Sequence, residues 1–345
     1  MHTPDPLVDV LAAFPELRAL GRTATRLHPR PGKVGVADSH IGGPLLWPAA
    51  EPWPVCDDPH MGMTEVPIPA DLIDRLRVLE KQRVQAHVMA PGEMELHKEI
   101  ERVVGPGYMG FGGSGDGPVV GHRWGPRTPQ EPTPLVAVAQ LRAGDVPDLP
   151  RPGGADLLQV LWCPFEHAQD RLTGPAVRLY WRQQADIDIA GVLAEPPTGE
   201  VDNEDYLPEP CRLHPEQIVE YPYSQELPAD LESRLDDWEH DYEDLVMAPG
   251  WKVGGYARWN LTDLLPTPCP ECQGPTTLLL VIDSSEFDGG TYDRWRPVEE
   301  QHITWEHPDR LTVQEPTGVM VGRYGSLRVF VCPACPGAPF LVDMQ

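Results

Sequence analysis

Two cysteine pairs constrain the fold of this chain more than any other feature of its sequence. Cys269-Pro-Glu-Cys272 and Cys332-Pro-Ala-Cys335 share a spacing in which a tight turn points both thiolates at one metal ion. Four thiolates form the closed tetrahedral shell of a structural zinc, although iron accepts the same ligands. Because 59 residues separate the pairs, more than the roughly 15–20 of a zinc ribbon, we expect two paired strands to bring them together. The alternative is that the four thiols are reduced and bind no metal.

The sequence contains an internal repeat in which three blocks recur in the same order. The blocks are Leu27-His28-Pro29 with Leu213-His214-Pro215, Gly42-Gly43 and Trp47 with Gly254-Gly255 and Trp259, and Leu158–Pro164 with Leu327–Pro333. The Gly-Gly to Trp spacing is identical in the two copies. Periodic self-similarity is best explained by duplication, so we predict two related halves.

The apolar runs and the proline content predict the fold class. Each half has one short apolar run of strand type, Leu135–Leu141 and Leu278–Asp283, followed by acidic and small residues. Forty-two prolines and 32 glycines disfavour a helical protein. We therefore predict an α+β, mainly β protein with two β-rich lobes and three or four peripheral helices.

The domain prediction places an N-terminal lobe at 1–181, a linker at 182–210 and a C-terminal lobe at 211–345. The first lobe carries an insertion, 57–133, with helices predicted over 70–86 and 93–104 from their apolar spacing. The second carries an acidic helix over 226–246. A further helix is expected over about 5–20, interrupted at Pro15.

Charge limits the classes of partner. The net charge is −26, so nucleic acid and anionic membranes, which are bound through Lys and Arg, are not expected. Residues 200–245 hold 16 acidic residues against 2 arginines, which indicates either a solvated surface or a docking surface for a basic protein.

The first 20 residues lack the features of a secretory signal, no apolar run has the length of a membrane span, and the cysteine spacing favours metal over disulfides. We expect a cytoplasmic protein.

Candidate partner-binding residues are glycines and aromatic side chains. Gly42, Gly43, Gly254 and Gly255 permit either a β-bulge or the close approach of another chain. In the second case Trp47 and Trp259 would line a peptide groove. The aromatic residues among the acidic charges, Tyr221, Tyr223, Trp238 and Tyr242, are candidate anchors.

No catalytic constellation is recognisable, so we predict no catalytic residue and favour a protein that is not an enzyme. The glycine-rich run 105–117 lacks a phosphate-loop ending and is interpreted as a mobile surface loop, with a ligand-gripping flap as the alternative. His40, His167, His302 and His307 lack a catalytic partner. Cys56 and Cys163 are interpreted as remnants of a site that lost its other ligands or as small buried side chains, and Cys211 as structural.

The Gly-Gly-x-x-x-Trp blocks, the two apolar runs and Leu157-Leu158-Gln159 resemble the YwqG-like family of bacterial proteins over most of 39–345. This resemblance implies a duplicated β-rich protein. Because some members are encoded near polymorphic toxins, it also implies a role in immunity or regulation.

A second similarity is to the eukaryotic programmed-cell-death-protein family, whose members chaperone a ribosomal protein. It depends on Gly42-Gly43 with Trp47, on Cys269-x-x-Cys272 before Leu278–Val281, and on Phe330–Pro333. This chain has fewer cysteines than those proteins, so only one zinc site is implied.

The sequence leaves two functional hypotheses open. The first is a zinc-stabilised binding protein for a basic protein partner, chaperone-like or immunity-like. The second is an enzyme or sensor that acts on a small ligand bound between the two lobes.

Overall fold

The computed structural model describes residues 1–86, 91–112, 119–127, 131–168, 173–259 and 264–345. The strands are β1 (Arg22–Arg26), β2 (Arg30–Pro31), β3 (His40–Ile41), β4 (Val55–Cys56), β5 (His60–Pro67), β6 (Tyr108–Gly112), β7 (Val120–Arg127), β8 (Thr133–Pro134), β9 (Val136–Arg142), β10 (Leu157–Ala168), β11 (Thr173–Arg182), β12 (Cys211–Arg212), β13 (Glu216–Glu220), β14 (Lys252–Gly254), β15 (Thr277–Asp283), β16 (Ser326–Val331) and β17 (Phe340–Met344). The α-helices are α1 (Val10–Ala13), α2 (Ala70–Ala86), α3 (Glu93–Val104), α4 (Ala229–Asp236), α5 (Tyr242–Val246), α6 (Tyr292–Trp295) and α7 (Arg310–Gln314). Single 3-10 turns lie at Pro15–Leu20, Pro152–Gly154, Gln184–Asp186, Ile189–Gly191, Glu204–Tyr206, Ser224–Glu226 and Val298–Glu300.

The predicted mainly β fold is confirmed, and both apolar runs form central strands. The first corresponds to β9 and the second to β15, within one residue of the predicted bounds. β15 is buried at Leu278–Ile282, because its two faces pack on different apolar clusters. A run of consecutive apolar residues is what a strand covered on both faces requires.

Two antiparallel sheets organise the described chain. The first has six strands in the order β13-β1-β14-β15-β16-β17. The second has nine strands, eight of them in the order β2-β12-β3-β9-β10-β5-β7-β6, and its ninth strand, β11, pairs with β10. A single apolar cluster contains Val138, Val160 and Trp162 from the second sheet and Leu279 and Val329 from the first. The two sheets therefore share one core, as in a β-sandwich.

The chain passes between the two sheets at both Leu-His-Pro blocks. At the first block, Leu27–Pro29, the chain leaves the six-stranded sheet after β1 and enters the other sheet at β2. At the second block, Leu213–Pro215, it leaves that other sheet after β12 and returns to the six-stranded sheet at β13. As a result β1 pairs with β14, and β12 pairs with β3. Each sheet thus contains a strand from the other half of the sequence.

Both sheets carry a β-bulge at corresponding places. Between β9 and β10, Val160 pairs with Ala139 and Leu161 with Ala137, which leaves Val138 as the extra residue. Between β15 and β16, Val329 pairs with Leu280 and Phe330 with Leu278, which leaves Leu279 extra. Each extra residue turns its side chain into the shared core.

The helix predictions hold within the insertion and need correction elsewhere. The helices expected over 70–86 and 93–104 are present as α2 and α3. The acidic helix expected over 226–246 is two helices, because Asp237 ends α4 and Asp241 caps a new helix by accepting the N–H of Asp244. The helix expected over 5–20 is reduced to α1 and a 3-10 turn that begins at Pro15. No helix in the described ranges combines the length and apolarity needed to cross a bilayer.

The insertion also contains strands that the sequence analysis did not predict. β5, β6 and β7 form an antiparallel ladder beside α2 and α3, with a separate small apolar cluster beneath it. Part of the glycine-rich run predicted as a loop, Tyr108–Gly112, is strand β6, where the register shifts between Tyr108 and Gly110. Residues 113–117 of that run lie outside the described residues.

Candidate metal centre

The first cysteine pair lies in a tight turn just before β15. The N–H of Cys269 donates to Gly274 O at 2.8 Å, and the N–H of Gln273 donates to Cys269 O at 3.0 Å. Gln273 adopts a left-handed φ of 59°, which reverses the chain within a few residues. This turn places both sulfurs on the same side.

Backbone N–H groups point at the sulfurs of this turn. Glu271 and Cys272 approach Cys269 Sγ at 3.4 and 3.5 Å, and Gly274 approaches Cys272 Sγ at 3.4 Å. Such donors stabilise thiolates, the form that binds metal. The turn therefore supplies donors that metal-bound sulfurs would accept.

The second pair follows β16. The N–H of Cys332 donates to Pro339 O at 2.9 Å, and that of Ala338 donates to Cys335 O at 3.2 Å. Burial raises the pKa of the Cys332 thiol, but the N–H groups of Ala334 and Cys335 and the thiol of Cys269 outweigh it and hold this pKa at about 7. The hydrogen bond with Cys272, together with burial, raises the pKa of Cys335.

The four sulfurs meet at one end of the β15–β16 ladder, where Thr277 pairs with Val331. Cys269 Sγ and Cys335 Sγ are 3.9 Å apart, Cys272 Sγ and Cys332 Sγ are 3.8 Å apart, and all four lie within 4.8 Å of one another. Bonds of about 2.3 Å in a tetrahedron place sulfurs roughly 3.8 Å apart. The prediction that two distant pairs form one cluster at a sheet end is confirmed, and this four-cysteine cluster fits a tetrahedral metal ion.

Exposure within the four-cysteine cluster is graded. Cys269 and Cys332 are buried, whereas Cys272 is exposed and Cys335 is half-buried. Four thiolates around a dication leave two net negative charges, and charge of that size needs solvent or N–H donors nearby. All four positions of a tetrahedral ion would be filled by protein, so the arrangement suits structural support and leaves no position for substrate.

Both candidate groove tryptophans lie in the protein interior. Trp47 is buried against Trp53 and Tyr180, with the Arg182 guanidinium 4.3 Å from its ring. Trp259 is buried on Phe330. Neither indole is accessible to a partner in this structure.

The two glycine pairs lie at corners where backbone segments approach closely. Gly42 has a φ of 63°, and a Cβ there would lie 2.4 Å from Pro208 O. Gly255 has a φ of 73°, and its Cβ would lie 2.1 Å from Glu220 Oε2. Gly42 and Gly43 also line an apolar cavity of about 940 Å³ together with Trp53 and several prolines.

The aromatic residues of the acidic segment mostly pack inward. Tyr242 is buried and donates to Pro222 O at 2.9 Å. Tyr221 and Tyr223 are half-buried, and Tyr223 donates to Trp259 O at 2.8 Å. Trp238 is half-buried, with its ring 5.1 Å from that of Phe14.

Two histidines lie in a cluster of possible metal ligands that was not predicted from the sequence. The structure brings His60 and His167 together with Cys56 and Cys163, in a second buried group of four. The signal was a shared spacing, Cys56-x-x-x-His60 and Cys163-x-x-x-His167. It differs by one residue from Cys-x-x-Cys, so His60 was not considered and His167 was considered only as a possible catalytic residue.

Comparison with known proteins does not assign this chain to a group. The sequence matches no family model, and no curated protein shows significant similarity to it. The resemblances described above therefore stay predictions, and the function is inferred from the site and the surface.

Proposed function

We propose that this chain is a zinc-stabilised cytoplasmic binding protein for a basic protein partner, which it engages through the acidic segment 226–246. The supporting observation is a group of exposed carboxylates on α4 and the turn that follows it. The members of this acidic patch are Asp230, Asp236, Asp237, Glu239 and Asp241.

Little positive charge balances the acidic patch. The one arginine of the segment, Arg234, pairs with Glu16 from the neighbouring 3-10 turn. Within the described residues no Lys or Arg lies at ion-pair distance from Asp230, Asp236 or Asp237. Carboxylates that repel one another in the free protein gain most from a cationic partner, and the net charge of −26 attracts such a partner over long distances.

The helix that carries much of the acidic patch, α4, is anchored by apolar packing. Leu231 and Leu235 of α4 pack on Val10, Phe14 and Leu17. A surface held by its own apolar cluster presents its charges with little loss of conformational entropy on binding.

In this proposal the four-cysteine cluster holds zinc and has a structural role. Tetrahedral coordination by four sulfurs suits Zn²⁺, which has no redox chemistry of its own. The seven cysteines are all unbridged, which supports a reducing compartment.

The proposal includes an internal duplication. It is supported by the β-bulges at Val138 and Leu279, which lie opposite equivalent residues of the third repeated block, Val160–Leu161 and Val329–Phe330. The reciprocal exchange of β1 and β12 between the sheets gives further support.

A charge-reversal experiment tests the partner proposal. The patch variant changes Asp230, Asp236, Asp237 and Glu239 to Lys. The control changes the exposed Asp71, Glu95, Glu195 and Glu306 to Lys. Both variants have the same net charge, so only the local patch differs.

The probe is a mixture of purified ribosomal proteins, a basic class, captured by immobilised full-length protein at low and at high salt. We expect the wild type and the control to capture a basic protein at low salt and to release it at high salt. The patch variant should capture at least tenfold less of that protein at low salt. Equal retention by both variants would remove the acidic patch from the proposal.

A second candidate function, binding of a small ligand, is favoured by a cleft of about 740 Å³. Its lining comes from both halves of the sequence and includes His167 and Arg178 from the first and Pro270, Gln273 and Phe340 from the second. Native mass spectrometry of the purified protein tests this candidate, because a retained metabolite of defined mass would support it.

A further inference from the structure

We propose that Cys56, His60, Cys163 and His167 form a second structural metal site, which holds zinc in a shell of two sulfurs and two nitrogens. The site is separate from the four-cysteine cluster and does not depend on the proposed partner. It explains a group of buried polar side chains that the proposed function does not use.

The distances among these side chains fit one ion. Cys56 Sγ lies 3.7 Å from His167 Nε2, and Cys163 Sγ lies 3.5 Å from His60 Nε2. The four ligand atoms all lie within 4.8 Å of one another. Zn–S bonds of about 2.3 Å and Zn–N bonds of about 2.1 Å in a tetrahedron separate sulfur from nitrogen by roughly 3.5 Å.

The backbone is shaped to bring these residues together. Cys163 and His167 both lie in β10, where a regular strand would place residues four apart about 13 Å from each other. Between Trp162 and Glu166 the register shifts, so that three residues of β10 oppose one residue of β11. This bulge bends β10 where the pairing to β9 ends and β5 takes over, at Glu166 and Met61.

The other two ligands come from β4, which pairs with β8 in a separate two-stranded sheet, and from β5, which pairs with β10. Cys56 ends β4, and His60 begins β5 after three intervening residues. The ligand-carrying segments therefore converge at one irregular corner of the sheet. Such corners are frequently functional, because a bulge re-aims side chains.

Burial gives a physical reason for a metal. His60 and Cys163 are 0% exposed, and Cys56 and His167 are 3% and 5% exposed. His60 Nε2 faces the thiol of Cys163 and His167 Nε2 faces that of Cys56, and thiols are weak hydrogen-bonding groups. Polar groups this deeply buried are normally satisfied, and one ion would engage all four side chains at once.

The net charge that each cluster would carry with bound zinc agrees with how deeply that cluster is buried. Two thiolates neutralise a zinc dication, so a site with two cysteines and two neutral histidines carries no net charge and tolerates complete burial. The four-cysteine cluster would keep two negative charges, and it is the cluster with an exposed and a half-buried cysteine. The two clusters thus differ in exposure in the direction that their charges require.

The repeat supports the assignment independently. Cys163-Pro164 and Cys332-Pro333 close the same repeated block, within β10 and just after β16 respectively. The two sites therefore occupy corresponding places in the two sheets. In the first, histidines replace the second cysteine of each pair, and the spacing widens by one residue to accommodate a longer side chain.

A catalytic Cys-His pair would use similar residues but needs an accessible nucleophile. Both sulfurs of this cluster are buried, and each faces an imidazole at a distance that suits shared coordination. The geometry thus favours a closed metal shell over nucleophilic chemistry.

Zinc stoichiometry combined with X-ray absorption tests the proposal on the full-length protein. We expect two zinc ions per chain, with an average shell of three sulfurs and one nitrogen. The variant His60→Gln/His167→Gln should bind one zinc with four sulfurs. The variant Cys269→Ser/Cys272→Ser should bind one with two sulfurs and two nitrogens.

Cys211→Ser is the matched control, because Cys211 is buried outside both clusters and donates to Pro316 O at 3.1 Å. This variant should keep two zinc ions. If the histidine variant or the cysteine variant fails to fold, the number of zinc ions per wild-type chain and their average coordination shell still test the proposal. One zinc per wild-type chain in a four-sulfur shell, or two in a folded His60→Gln/His167→Gln variant, overturns the proposal.

Discussion

At the scale of single residues, the interior contains charges that are held by specific partners. Lys252 and Glu220 are both buried, and Lys252 Nζ donates to Glu220 Oε1 at 2.6 Å. The same carboxylate accepts the N–H groups of Ala248 and Tyr256 at 2.8 and 2.9 Å. This network fixes the corner at Gly254-Gly255, because Gly255 lies directly against the Glu220 carboxylate.

Lys252→Met removes one partner of this buried pair and leaves Glu220 without its cation. We expect the free energy of unfolding to fall by about 3–5 kcal/mol, the cost of an uncompensated buried charge. Urea denaturation measures it. Arg234→Met, which breaks an exposed pair with Glu16, is the control and should have a much smaller effect. Equal effects would show that Lys252 and Glu220 are not coupled.

Asp283 should make stability depend on pH. Burial raises its pKa from 3.8 to about 6, against the N–H groups of Ser285 and Gly250, which lower it. A carboxyl whose pKa is raised in the folded state stabilises that state below its unfolded pKa, and this contribution is lost as the pH rises through about 6.

The pH effect is measured against Asp283→Asn. We expect the unfolding free energy of the wild type, relative to this variant, to fall by about 2 kcal/mol between pH 4 and pH 7. Asp71→Asn, at an exposed position, is the control and should run parallel to the wild type. If the unfolding free energy of the wild type, relative to Asp283→Asn, rose with pH instead, the pKa of Asp283 would not be raised in the folded state.

At the scale of elements, α2 and α3 form a satellite of the main structure. Their apolar cluster contains Leu72, Leu76, Leu96, Ile100 and Val104 and is separate from the shared core. An element with its own small cluster is expected to open independently of the rest.

Ile100→Ala should therefore act locally. Ile100 is fully buried, so its truncation removes about 2–5 kcal/mol of local stability. Hydrogen exchange should accelerate in α2 and α3 and stay unchanged in β15 and β16. Val329→Ala, in the shared core, is the comparison and should accelerate exchange in both sheets. Acceleration throughout the chain in Ile100→Ala would show that the insertion is not a separate unit.

The elements differ in how well the sequence predicted them, and the reason is the range of the interactions involved. The four-cysteine cluster was predictable because two turns of fixed local spacing each carry half of it. The burial of Trp47 was not, because it depends on Tyr180 and Arg182, which are more than 100 residues away. The grouping of His60 with His167 was not predicted, because it depends on the bulge in β10 and on the pairing of β10 with β5.

At the scale of the whole molecule, residues from both candidate metal clusters or their turns line one cleft. His167 lines the cleft from the first cluster, and Pro270 and Gln273 line it from the turn of the second. Ions in both clusters would hold the walls at a fixed separation, since each ion ties together segments that are distant in sequence. We therefore expect the shape of this cleft to depend on metal bound at the two clusters.

The exchange of strands between the halves predicts that neither half folds alone. In the six-stranded sheet, Ala24 of β1 pairs with Ile218 of β13 on one side and with Gly254 of β14 on the other. A chain of residues 199–345 lacks β1, so β13 and β14 lose the strand between them, and the inner face of the sheet loses Val138, Val160 and Trp162. Exposed edges and apolar surface of this kind favour aggregation over folding.

The test divides the chain in the exposed segment around Gly199. We expect 199–345 expressed alone to be insoluble or to give a poorly dispersed NMR spectrum, even with zinc present. Co-expression of 1–198 with 199–345 should restore a complex that unfolds in one cooperative transition, because β1 and the shared core are then supplied in trans. Cooperative folding of 199–345 by itself would mean that the four-cysteine cluster and the five remaining strands suffice, and that β1 is an addition to a sheet already complete.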